Sequence, residues 1–147
     1  MEMACPFANL LVKDPPNNPY RENFKRCNGD LVPVNECKDE IDKEHGERYI
    51  ILVRSGYINQ YEKLPSNLRQ QFSICENHRK LFGRGFIREL RQRSCIYPEH
   101  DGGKIENSKK YVQMDQSRTL LDKAGWKVPY GSKVCPNCAF KIKNKSL

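Results

Sequence analysis

The sequence predicts a small, loop-rich α+β domain stabilised by zinc, with two or three short helices and a short antiparallel sheet. Three observations lead there. The chain has 147 residues, 37% hydrophobic and 30% charged, with a mean hydropathy of -0.81, so any core must form from little apolar material. Its seven cysteines are too sparse for a disulfide scaffold and odd in number, which favours reduced thiols. Those thiols pair closely with two of the three histidines in the second half, and zinc held by thiolate and imidazole stabilises folds that a thin core cannot.

Residues 1–47 read as an irregular N-terminal segment and 48–147 as a zinc-binding basic domain. The Pro15-Pro16-Asn17-Asn18-Pro19 run is a break and Asn28-Gly29 a turn signal. Tyr49-Ile50-Ile51-Leu52-Val53 is an apolar run of strand length, and Ser55-Gly56 turns it toward a possible partner strand at 57–61. Pro65-Ser66 opens a helix that delivers the chain to Cys75, and a further helical turn or two ends at Gly83. Phe86 to Gln92 is basic and amphipathic, followed by an Asp101-Gly102-Gly103 loop. Asp115 caps a helix that runs to Ala124 and stops at Gly125. Residues 126–134 are extended, with a turn at 129–131. No stretch reaches the roughly 18 apolar residues of a membrane helix, and the chain start carries no basic-then-apolar leader pattern.

Three pairs of soft ligands carry the chemistry: Cys75-x-x-His78, Cys95-x4-His100 and Cys135-Pro-Asn-Cys138. A two-residue spacer lets both side chains of a tight turn reach adjacent corners of one tetrahedron. Six donors overfill one site and underfill two. Cys27 and Cys37 from the N-terminal segment would complete a set of eight and allow two ions, leaving Cys5 and His45 outside. Pairing Cys75 and His78 with Cys95 and His100 closes the shorter loop. Loop entropy favours that pairing by only about 1 kcal/mol over one with Cys135 and Cys138. The expected cofactor is therefore one or two zinc ions.

Net charge is +8, and the surplus is confined to one half: residues 74–147 hold 16 Lys and Arg against 7 Asp and Glu. Within 78–93 lie Arg79, Lys80, Arg84, Arg88, Arg91 and Arg93 with one acid, and Lys141 and Lys143 follow the last cysteine pair. Arginine forks onto phosphate and base edges and stacks on bases. A basic face on a metal-braced domain is the footprint of a protein that neutralises phosphates. The expectation is an intracellular, nuclear protein that binds DNA or RNA as a transcription or chromatin regulator, with no membrane partner. The alternative is a zinc-stabilised protein-interaction adaptor that docks a partner on the acidic first half or on the edge of the 49–53 strand.

Two fragments resemble enzyme signatures. His45-Gly46-Glu47 with Cys135-Pro-Asn-Cys138 is similar to the zinc nucleobase deaminase pattern, though Val134 stands where that pattern has Pro. The 134–138 knuckle resembles the one beside HNH-type nuclease cores, but Ala139 follows where His is usual. Zinc with four protein ligands leaves no corner for a reacting water, so no enzymatic activity is expected. The individual knuckles look like treble-clef or zinc-ribbon pieces, each spanning a few residues.

Overall fold

The computed structural model describes residues 5–8, 27–86, 95 and 110–145. The segment 87–94, which holds Arg88, Arg91 and Arg93, and the 96–109 stretch, which holds His100 and the Asp101-Gly102-Gly103 loop, lie outside the described residues. The described residues form a small α+β domain with six helices and two two-stranded antiparallel sheets. In chain order these are β1 (Leu31–Pro33), α1 (Glu47–Ser55), α2 (Ile58–Lys63), α3 (Ser66–Gln71), β2 (Ser73–Cys75), α4 (Glu76–Phe82), β3 (Lys110–Tyr111), α5 (Met114–Ala124), β4 (Lys133–Val134) and α6 (Pro136–Lys145). Strand β1 pairs with β2 in the register Leu31 to Cys75, and β3 with β4 in the register Lys110 to Val134.

The 49–53 run is a helix, not a strand, and its expected partner at 57–61 belongs to α2. Ile50, Ile51, Leu52 and Val53 are each no more than 2% exposed, and Arg54 and Ser55 are each 3% exposed. A helix covered on nearly every side needs no polar face, so its sequence is a continuous apolar run that looks like a buried strand. Gly56 is the stop signal of that helix: at φ 84° it donates to the Val53 carbonyl while Tyr57 donates to Leu52. This pair of bonds is the Schellman arrangement that favours glycine. The strand edge proposed for a docking partner therefore does not exist at this position.

The other helices follow the expected punctuation more closely. Helix α3 starts after Pro65, and α4 ends where Gly83 donates to the Arg79 carbonyl at 2.9 Å. Helix α5 stops at Gly125, but it begins at Met114, and its cap is Gln113, not Asp115: the Gln116 side chain accepts from the Gln113 N–H at 2.9 Å.

Two cores result. The larger surrounds α1 and joins Cys5, Phe7, Val34 and Cys37 from before residue 47 to Ile74, Leu81, Phe82 and Phe86. Phe7 packs on Tyr57 at 5.0 Å and edge-on to Phe72 at 5.5 Å, while the Tyr57 hydroxyl donates to the Pro6 carbonyl at 2.6 Å. The smaller consists of Cys95, Cys135 and Cys138 with Val112, Leu120, Val128, Val134 and Ile142. Helix α5 is the joint, sending Met114 and Leu121 into the first and Leu120 into the second. Within the larger core, buried Arg54 fastens the turn before β4, donating to the carbonyls of Tyr130, Phe82 and Gly83 at 2.9, 2.9 and 3.1 Å, with its guanidinium 4.1 Å from the Phe86 ring centre.

Candidate metal centres

Each C-x-x-ligand pair sits at the same local structure, a short strand running into the first turn of a helix. Cys75 ends β2 and caps α4, its sulfur accepting from the His78 N–H at 3.4 Å. Cys135 follows β4 and precedes α6, and the N–H groups of Asn137 and Cys138 face its sulfur. N–H groups of a helix start point at the cysteine sulfur in both cases.

The first centre gathers Cys5, Cys27, Cys75 and His78, whose donor atoms all lie within 4.8 Å of one another. The His78 Nδ1 is 3.6 Å from the Cys5 sulfur, 3.7 Å from that of Cys27 and 3.0 Å from that of Cys75. With Zn–S of about 2.3 Å and Zn–N of about 2.0 Å, sulfur and nitrogen on neighbouring corners of a tetrahedron stand about 3.5 Å apart. Two of the three spacings match that edge closely and the third is tighter. The donor set of three thiols and one imidazole thus fits a closed zinc site.

Packing holds these donors in place. The His78 ring is fully buried and stacks on Phe82 at 6.0 Å. The Cys75 N–H donates to the Cys5 sulfur at 3.3 Å, and Asn77 donates to the Asn28 carbonyl at 3.0 Å, which clamps the Cys27 turn onto α4. Gly29 in that turn has φ 87°, and a Cβ there would come within 2.4 Å of the Glu76 Cβ, so both backbone and space demand glycine. Burial, the leading cause, pushes the Cys5 thiol up to about 12 and raises that of Cys27, the one exposed donor. A cation entering this site must therefore release protons.

The second centre brings together Cys95, Cys135 and Cys138, each at most 1% exposed, with their sulfurs within 4.8 Å. The Cys135 N–H donates to the Cys95 sulfur at 3.4 Å. Burial raises the Cys135 thiol, but the N–H groups of Cys138 and Asn137 and the neighbouring thiols outweigh it, so the net shift is downward. Three thiols suit a soft cation. His100, the expected fourth donor, lies outside the described residues.

The expected ligands are thus partitioned differently from the shorter-loop pairing. Cys75 and His78 join Cys5 and Cys27, not Cys95. Cys37 enters neither cluster: its thiol points to the Pro33 carbonyl at 3.8 Å inside the main core, and burial pushes it up to about 11. Cys5, left outside by spacing, takes the place given to Cys37. Its signal in sequence was Phe7 two residues on, a large apolar side chain that must dock somewhere and brings Cys5 with it.

Among the expected nucleic-acid contacts, Arg79 has a different role. It forms a two-pronged ion pair with Glu47, both bonds 2.8 Å, and Glu47 is 2% exposed. The fork and the surrounding charges raise its pKa further, and Arg79 braces α1 against α4. Arg84 is 71% exposed and 3.7 Å from Asp39; Lys80 and Lys143 are exposed and Lys141 half-buried. Phe82 and Phe86 are core residues. No described helix is long and apolar enough to cross a membrane. Comparison with family models, curated proteins and solved structures gives no match.

Proposed function

We propose that the chain is a nuclear zinc protein with two structural ions whose basic half binds nucleic acid as a transcription or chromatin regulator. The observation that carries the reading is the concentration of charge: 16 Lys and Arg against 7 acids in residues 74–147, on the part of the chain that supplies both C-x-x-ligand pairs. Cys5, Cys27, Cys75 and His78 would hold one ion; Cys95, Cys135 and Cys138 would hold the other, with His100 as fourth donor. Both ions act by fixing helix starts and short strands in place, which supports a rigid surface without a large core. Lys80, Arg84, Arg88, Arg91, Arg93, Lys141 and Lys143 are the contact candidates, with Arg79 withdrawn because Glu47 neutralises it.

Elemental analysis of protein purified without added metal tests the first half of the proposal, with about two zinc ions per chain expected and near-zero content overturning it. Fluorescence anisotropy with short DNA and RNA across a salt series tests the second. Affinity should fall steeply with salt, and the combined Arg84→Gln, Arg88→Gln, Arg91→Gln and Arg93→Gln variant should bind at least tenfold more weakly. Binding to neither polymer overturns the nucleic-acid reading.

A further inference from the structure

Helix α6 buries Cys138 and Ile142 in the second core and carries Pro136, Ala139, Phe140 and Lys143 on one stripe at helical spacing. That stripe faces β3 across a groove of about 530 Å³, completed by Lys110, Tyr111 and the glutamines at the start of α5. Two large aromatics stand open in it, Tyr111 at 49% and Phe140 at 67% exposure. Among the described residues that line the groove there is no carboxylate, whereas two are lysines. The volume is in the range of small-ligand sites.

From this groove we infer a binding site for single-stranded nucleic acid, with bases stacking on Tyr111 and Phe140 and phosphates meeting Lys110 and Lys143. The inference deepens the nucleic-acid reading and rests on it. Exposed rings offer stacking faces to unpaired bases, whose π-faces a duplex keeps to itself. The two lysines among its described lining residues suit a polyanion, and the glutamine amides can meet base edges as donor or acceptor. Cys135 and Cys138 flank the first turn of the same helix, so metal bound there would set the angle at which Phe140 is presented.

The test is anisotropy of labelled short oligothymidylate and oligouridylate with the metal-loaded full chain, with a duplex of matched length for comparison. Single strands should bind more tightly than duplex. Phe140→Ala and Tyr111→Ala should each weaken single-strand binding about tenfold or more, with melting temperature unchanged because both rings are exposed, while Tyr111→Phe keeps the affinity. Lys143→Ala should lower the salt slope by about 0.7. Unchanged single-strand affinity in the Tyr111→Ala, Phe140→Ala double variant overturns the groove assignment and leaves the broader reading standing. Failure of the wild type to bind any nucleic acid overturns both. Tighter, ring-dependent binding of polyglutamate would replace the strand with an acidic peptide and overturn the inference.

Discussion

The two candidate metal centres share one half and differ in the other. In each, a short strand delivers a cysteine to a helix start and the second donor follows three residues later, as Cys75 and His78 or Cys135 and Cys138. The first is closed by Cys5 and Cys27, which lie 70 residues from Cys75 and 51 from His78. It sits against Phe7, Phe82 and the buried α1. The second is closed by Cys95, 40 residues from Cys135, and three of the eight described residues of its buried core are its own cysteines. The local half of a site is set by spacing, while the distant half is set by whichever apolar residues dock nearby. An ion bound at the first centre would therefore reinforce an existing core, whereas one bound at the second would largely stand in for it.

Breaking the centres one at a time exposes that difference most sharply. Structural zinc contributes about 10 kcal/mol or more in small metal-folded units, which rivals the roughly 5–15 kcal/mol of a whole domain. Cys75→Ser or Cys5→Ser should unfold the main core, because it leaves His78 and the remaining thiols buried without an ion; near-UV circular dichroism should lose its aromatic signal. Cys138→Ser should drop metal content from two ions to one while that signal survives, since the main core has its own large apolar cluster. Limited proteolysis should then cut around α6 and spare α1. Equal collapse in both variants would mean that the two cores fold as one unit.

Arg54 fastens the turn before β4 to the main core. Its guanidinium satisfies three carbonyls, from the end of α4 and from the turn before β4. Arg54→Met keeps much of the volume but strands those acceptors in a buried place. A loss of about 3 kcal/mol is expected in urea unfolding, with metal content unchanged. Arg54→Lys should recover little, because one ammonium cannot reproduce the fork.

What was legible in the sequence follows the same division. The spacing of Cys75 to His78 and of Cys135 to Cys138 displayed half of each centre, because a single turn fixes that geometry. Stoichiometry points to Cys27, but spacing does not separate Cys5, which joins the cluster, from Cys37, which does not, because neither has a ligand neighbour in sequence and only the docking of Phe7 distinguishes them. Helix α1 was hidden because burial on nearly all sides removes the 3.6-residue period, and Gly56 then looked like a hairpin turn. Gly125 was readable since α5 keeps a polar face. The distinction between Cys5 and Cys37 is checked by Cys37→Ala, which should cost about 1–2 kcal/mol as an ordinary core truncation and leave the ion count at two.

The smallest expected effect concerns a contact outside both candidate centres that ties the 40–46 turn to the turn before β4, where Tyr130 packs against the main core. The Asp42 carboxylate accepts from the backbone N–H groups of Glu44 and His45 at 2.9 and 2.7 Å and from the Tyr130 hydroxyl at 2.8 Å. Burial alone would raise its pKa, but these bonds, Tyr130 first among them, outweigh burial and hold it below the ordinary carboxylate value. A group depressed on folding stabilises fully above its unfolded pKa, about 3.9, and loses that contribution as pH falls through the lower folded value. Asp42→Asn should therefore cost about 1 kcal/mol at neutral pH. The gap between variant and wild type should stay constant above about pH 5 and narrow below about pH 4. Referring each measurement to the variant at the same pH cancels the acid sensitivity of the metal centres, which both proteins share. A gap that widened in acid would mean that Asp42 binds Tyr130 more strongly as the neutral acid than as the carboxylate.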